Sequence, residues 1–132
     1  MNTLNVSIVT PNGEVYSGKD AKMVVLNTTS GQLGVMANHV PMVASLKIAP
    51  LKVIFADGKE EVFAVSEGFV ETHKDDVSIL VQTAENANDI DISRAQAAKE
   101  RAEKRLTEGN CDVKRAELAL AKALNRLNVC GK

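Results

Sequence analysis

The chain reads as an α+β protein: an N-terminal all-β module, sandwich or barrel, followed by a C-terminal antiparallel two-helix hairpin. Three observations predict it. Through the first two thirds of the chain apolar and polar residues alternate, the period of half-buried strands. Turn residues interrupt that pattern about every ten positions, as short strands of an all-β fold require. At Asp89-Ile90-Asp91-Ile92-Ser93-Arg94-Ala95 the period changes from 2 to 3.6. This joint divides the chain into residues 1–88 and 89–132.

Taken in order, Leu4–Thr10 alternates as a strand, and Thr10-Pro11-Asn12-Gly13 is a turn, with Pro11 presetting φ and Gly13 tolerating φ > 0. Glu14–Gly18 returns as its hairpin partner, and Ala21–Thr28 forms another strand. Ser30–Met42 is unusual, with Gly31 and Gly34 three apart, Leu33, Val35 and Met36 more apolar than a solvent loop, and Pro41 near its end. It reads as a buried corner, as a loop offering apolar side chains to a partner, or as both. Val43–Leu46 and Leu51–Phe55 continue the strands across Ala49-Pro50, and Asp57-Gly58 is a hairpin signal. Glu61–Val65, Gly68–Thr72 and Val77–Val81 complete the set, the last two parted by Lys74-Asp75-Asp76. Beyond the joint, Asp91 and Ser93 can each accept a hydrogen bond from an orphan N–H at a helix start. Ala95, Ala98, Ala102 and Leu106 mark one face of a first helix, which Glu108-Gly109-Asn110 ends. Asp112 can cap a second helix. There Val113, Ala116, Leu120, Ala123 and Leu127 make a 3-4-3-4 seam that stops at Gly131. A seam of alanine lets helices approach closely but buries little area, so the hairpin should be weakly held.

Composition removes several function classes. Aromatic residues are 3% of the chain, too few for a base-stacking surface, and the Lys and Arg residues of the hairpin alternate with acids, so no nucleic-acid partner is expected. No apolar run approaches the roughly 20 residues of a membrane span, and Met1-Asn2-Thr3 leads straight into a strand-like pattern without a signal peptide, so direct membrane insertion is not expected. Gly18-Lys19 lacks the rest of a phosphate loop. His39 and His73 fall on different elements and make no metal pair, no serine sits in a nucleophile elbow, and His39 has no visible catalytic partner. The chain therefore reads as no enzyme by itself, with no catalytic and no metal-ligating residue. Cys111 and Cys130 would lie roughly 28 Å apart on one continuous helix at 1.5 Å per residue, which reads as a reduced pair. Net charge is −1, but residues 1–92 carry 6 Lys/Arg against 12 Asp/Glu, and residues 93–132 carry 10 against 5. A hairpin of charge +5 on a body of charge −6 must meet something acidic or fold back on its own body.

The ordered segments resemble the epsilon subunit of the bacterial F-type ATP synthase. The resemblance rests on Val9–Tyr16 (VTPNGEVY), Gly31–Val35 with Asn38–Pro41, and Gly68–Glu71. It continues through Thr83-Ala84-Glu85, Asp89-Ile90-Asp91 and Arg115–Ala119, and covers nearly the whole chain. It implies an N-terminal β-sandwich that binds stalk and ring (1–88) and a regulatory α-helical hairpin (89–132). It also implies a non-catalytic rotor subunit of the proton-translocating enzyme, peripheral at the cytoplasmic face of the cell membrane and held by the gamma subunit and the c-subunit ring. On this resemblance Gly31, Leu33, Val35, Met36, His39 and Met42 belong to the edge facing ring or gamma. The hairpin would extend to the beta subunits and inhibit ATP hydrolysis, its +5 charge suiting their acidic loops. Some members bind ATP on the folded hairpin through Ile/Leu-Asp-x-x-Arg-Ala and a later arginine pair. Ile90–Ala95 matches the motif, Arg126 matches the second arginine, and Lys122 departs from the first. The implied nucleotide-binding set is Glu85, Asp91, Arg94, Lys122 and Arg126, with ATP a regulatory ligand and no cofactor required. Lys122 would offer a point charge where arginine offers a bidentate fork. A free-standing nucleotide-sensing module is the alternative reading, distinguished by whether the chain co-purifies with gamma and the catalytic head.

Overall fold

The computed structural model describes residues 3–109 and 112–130, with the backbone alone at His39. Among the described residues nine strands precede two helices: β1 (Leu4–Thr10), β2 (Gly13–Thr28), β3 (Gly31–Met36), β4 (His39–Leu46), β5 (Ala49–Phe55), β6 (Glu60–Val65), β7 (Gly68–Lys74), β8 (Asp76–Val81), β9 (Ala84–Asn86), α1 (Ile92–Glu108) and α2 (Val113–Cys130). The two strands expected over Glu14–Gly18 and Ala21–Thr28 are one 16-residue strand. Asp20 takes the break in stride with φ 64, and the register on β5 slips between Ala21 and Met23. A bend of this kind turns a strand without ending it.

That bend makes the sandwich. The first half of β2 pairs with β1 (Ile8 opposite Tyr16), while its second half pairs with β3 and β5, Val24 lying opposite both Val35 and Val53. One layer then runs β4-β7-β8-β1 and the other β3-β2-β5-β6-β9, with β2 passing between them. The β1–β8 pair is parallel and the other pairings are antiparallel. Alternation sends Leu4, Val6 and Ile8 of β1, Val24 and Leu26 of β2, and Phe63 of β6 into a common core where each is at most 1% exposed. Gly68 shows how closely β7 and β8 approach. A Cβ there would overlap the Leu80 carbonyl oxygen on β8 and lie 2.7 Å from Val81 Cα.

The segment over Gly31–Met42, read as a buried corner, a presenting loop or both, is β3 and the start of β4, which turn at Ala37-Asn38 and pass from one layer to the other, β3 pairing with β2 and β4 with β7. It follows the sequence Thr28–Gly31, where the Thr28 hydroxyl donates to Gly31 O at 2.7 Å and accepts from Ser30 N at 3.2 Å. The register of β4 on β7 slips between His39 and Met42. The Thr72 hydroxyl bridges the gap, donating to Val40 O at 2.9 Å and accepting from Met42 N at 3.1 Å.

A single 3-10 turn, Ala87–Asp89, leads to the hairpin. Of the two candidate caps Asp91 is the one used: its Oδ1 accepts from Arg94 N at 3.1 Å. Gly109 closes α1 in the left-handed region at φ 66 and donates to Arg105 O, and Asp112 Oδ1 accepts from Arg115 N at 3.2 Å to start α2. Ala95, Ala102, Ala116 and Ala123 are buried in the expected alanine seam. Val113, placed on that seam by spacing, is instead 50% exposed, because the first turn of α2 lies where the seam runs out. Asn110, Cys111 and the helix stop at Gly131 lie outside the described residues.

The hairpin lies folded on the sandwich, with α2 against β5, β6 and the 3-10 turn. Strand β6 permits this because it is apolar on both faces: Phe63 and Val65 point to the core, while Ala64 packs with Ile90, Ala95 and Val129 beneath the hairpin.

Candidate functional site

Four of the sequence-predicted residues meet where β9, the joint and both helices come together. Glu85 comes from β9, Asp91 from the helix cap, Arg94 from the first turn of α1 and Arg126 from α2. They line one open cavity of about 310 Å³, completed by Asp89, Ile90, Ala95, Ala97, Ala98 and Arg101. The Asp91 cap interaction fixes the carboxylate at the cavity wall and orients the first turn of α1. Arg126 Nε donates to Glu85 Oε1 at 2.6 Å, with the two side chains 31% and 36% exposed. Glu85 is presented by the pairing of Ala84–Asn86 with β6, and Asn86 is anchored by Nδ2 donating to Glu61 Oε2 at 2.7 Å.

Three guanidinium groups (Arg94, Arg101, Arg126) thus face three carboxylates (Glu85, Asp89, Asp91) around a cavity of ligand size. Arginine forks suit phosphate oxygens, and the carboxylates suit amino or hydroxyl donors of a polar ligand. Arg101 is absent from the sequence-derived set. It lies seven residues, two helical turns, after Arg94, so both project from one face of α1, and that spacing was the signal available. Lys122 does not line the cavity. It lies one helical turn before Arg126, where its Nζ is 3.5 Å from Glu67 Oε1. The two cross-module ion pairs, Lys122–Glu67 and Arg126–Glu85, show the basic hairpin meeting its own acidic body. Among the described residues no group of three or more His, Cys, Asp or Glu is placed to hold a metal ion, and no helix is long and apolar enough to cross a membrane.

The residues expected to face ring or gamma are dispersed by strand geometry. Gly31 opens β3 at φ 130, Leu33 is half-buried against the core, and Val35 has no exposure. Val35 is therefore a core residue and not part of a presented surface, because the period of β3 turns it inward. Met36 is 53% exposed and Met42 half-buried. The His39 side chain lies outside the described residues. The larger exposed apolar group is one the sequence reading did not assemble. Val43 on β4 (68% exposed), Phe69 on β7 and Leu80 on β8 share the outer face of one layer, with Phe69 opposite both Ser45 and Leu80. Their odd position in the alternation, outward yet apolar, is its sequence signal.

The family model for the beta-sandwich domain of the ATP synthase delta/epsilon chain matches residues 3–87, and the model for its long alpha-helix domain matches residues 88–131. Two proteins called ATP synthase epsilon chain, from Staphylococcus aureus strains JH9 and Newman, are each 56% identical over 131 residues, 98% of this chain and 97% of theirs. A chain in the structure of the Euglena gracilis mitochondrial ATP synthase (OSCP/F1/c-ring, rotational state 1) overlays with a TM-score of 0.80 at 20% identity, covering 95% of this chain and 79% of that one. A chain from the central stalk and c-ring of the Tetrahymena thermophila mitochondrial enzyme overlays at 0.57 and 16% identity, covering 99% and 97%. At these identities the two structures speak for the fold alone.

Proposed function

The chain belongs to the delta/epsilon family of ATP synthase subunits, and on that premise we propose that it is a non-catalytic central-stalk subunit whose hairpin regulates ATP hydrolysis and senses ATP. Residues 1–88 form the unit that attaches to the gamma subunit and the c-subunit ring of a proton-translocating enzyme, at the cytoplasmic face of the membrane and without entering it. The outward Val43, Phe69 and Leu80, with Met36 beside the β3–β4 turn, supply the apolar surface that such attachment needs. Residues 89–132 form the regulatory unit, which on release extends toward the beta subunits with its excess of positive charge.

One observation carries the nucleotide part of the reading. Glu85 and Arg126, 41 residues apart, line the same cavity as Asp91 and Arg94 only while the hairpin is folded on the sandwich. A ligand held by all four favours the folded form by its differential affinity, and so withdraws the hairpin from the catalytic head. ATP fits the chemistry, its triphosphate toward the guanidinium groups of Arg94, Arg101 and Arg126.

The test adds the full chain to a catalytic head stripped of its own epsilon-type subunit and follows ATP hydrolysis, beside a chain ending at Asn88. Inhibition by the full chain alone, relieved as MgATP rises, is the expected result. If neither form binds the head, the stalk function is lost and a free-standing nucleotide sensor takes its place. If the full chain binds and inhibits identically at all MgATP concentrations, the sensing function fails.

A further inference from the structure

Helix α2 meets the sandwich with polar side chains from one face, spaced 122, 125 and 126. Lys122 pairs with Glu67, Asn125 Nδ2 donates to Val65 O at 3.2 Å, and Arg126 pairs with Glu85. All three border a gap of about 10 Å³ under α2, lined also by Ser66 and Thr83; Asn125 is 9% exposed there, and of the three Arg126 alone also lines the 310 Å³ cavity. That gap accommodates at most about one water molecule. The Lys122 ammonium is therefore directed to the sandwich and not to any ligand in the cavity.

Its partner is a fixed post. Glu67 stands in the turn between β6 and β7, and that turn is tied to the segment after β8. Ser66 N donates to Thr83 O at 3.0 Å, Thr83 N to Ser66 Oγ at 2.8 Å, and Gln82 N to Glu67 O at 3.1 Å. With the backbone beneath Glu67 held by these bonds, forming the ion pair orders two side chains and no loop.

We propose that α2 divides its work: Lys122, through Glu67 and beside the Asn125–Val65 hydrogen bond, latches the folded hairpin in the absence of nucleotide, and Arg126 is the one cation of α2 that a ligand in the cavity engages. Lys122 is thus a positioning residue. This rests on the reading that the hairpin leaves the sandwich and that the cavity takes ATP. Its consequence is a folded state populated without ligand, which nucleotide then deepens.

The experiment uses the full chain and two readouts: hydrogen exchange of the α2 amides without nucleotide, and calorimetry with MgATP. Most of the stability of an amphipathic helix in a protein comes from packing its apolar face, so the exchange of α2 reports its release from the sandwich. Lys122→Gln is expected to speed α2 exchange by about 1.5- to 5-fold, the effect of removing one partly exposed ion pair. Lys122→Glu, which faces Glu67 with a like charge, is expected to speed it further. The double variant Glu67→Lys/Lys122→Glu is expected to return both exchange and MgATP affinity to those of the original chain. Unchanged exchange in Lys122→Gln, or no recovery in the double variant, overturns the latch. A double variant that docks normally but binds MgATP more than tenfold weaker overturns it too, because Lys122 then touches the ligand. If the original chain gives no heat with MgATP, the sensing function is refuted on its own, and the exchange arm still decides the latch.

Discussion

Replacing Arg126 by glutamine separates the two tasks of the folded hairpin. The substitution keeps a donor on α2 but deletes the charge that meets Glu85 at 2.6 Å. Both side chains are about a third exposed, so solvent screens the pair and its loss should cost only about 0.2–1 kcal/mol of docking, at most a fivefold change in the folded-to-released ratio. A hydrogen bond from a guanidinium to a phosphate contributes more, about 1.5–3 kcal/mol, which is roughly 10- to 150-fold in dissociation constant. Release of the hairpin lowers apparent affinity only in proportion to the folded fraction lost. The ligand term should win. Calorimetric MgATP affinity is expected to fall by more than tenfold while α2 hydrogen exchange accelerates no more than about fivefold. An affinity loss that merely equals the loss of folded fraction would refute the placement of Arg126 against the triphosphate.

Three further outcomes follow from the geometry. Asp91→Ala should destabilise the start of α1 by about 1 kcal/mol, read as faster exchange at Ile92–Ala95, whereas Asp91→Asn should keep the cap and change only the charge at the cavity wall. Gly68→Ala sets a methyl group against the Leu80 carbonyl and should lower the urea midpoint by an amount equivalent to roughly 1–3 kcal/mol; an unchanged midpoint would mean that β7 and β8 part without cost. Tyr16, packed against Phe63, has its hydroxyl pushed above the ordinary value of 10.0 by burial and then by the charge of Glu61. With the folded value raised, its contribution to stability is complete below pH 10 and is lost as pH rises past the unfolded value toward the folded one. The melting temperature should therefore fall more steeply above pH 10 in the original chain than in Tyr16→Phe.

Much of the fold was legible because it is written in local periods. Leu4–Thr10 alternates and is a strand, the joint at Asp89–Ala95 carries its own cap, and the hairpin shows its alanine seam. What was misread depended on long-range geometry. The break placed at Lys19-Asp20 is a bend, since a residue at φ 64 ends a strand only if its neighbours find no partners, and here β1 and β5 supply them. β9 escaped because three residues are too few to show a period, and its existence rests on the open edge of β6. The run Val62-Phe63-Ala64-Val65 reads as an ordinary strand, although its loss of alternation already announces a second covered face.

The candidate site divides the same way. The sequence by itself determined the local relations of the candidate groups: Asp91 as a cap at the start of α1, and Lys122 and Arg126 one turn apart on α2, with Arg101, two turns after Arg94, open to the same spacing argument although outside the candidate set. All of these follow from neighbours within a helix, where 3.6 residues per turn settle who faces whom. Only the tertiary structure decided that Arg126 joins Arg94 and Arg101 at one cavity while Lys122 turns to Glu67. Residues 122 and 126 are four apart on one helix, yet a single turn displaces them by about 6 Å along the axis. Which acid each one meets is set by where β6, β9 and the turn at Ser66-Glu67 stand beneath the helix, and that depends on strand pairings distant in the chain.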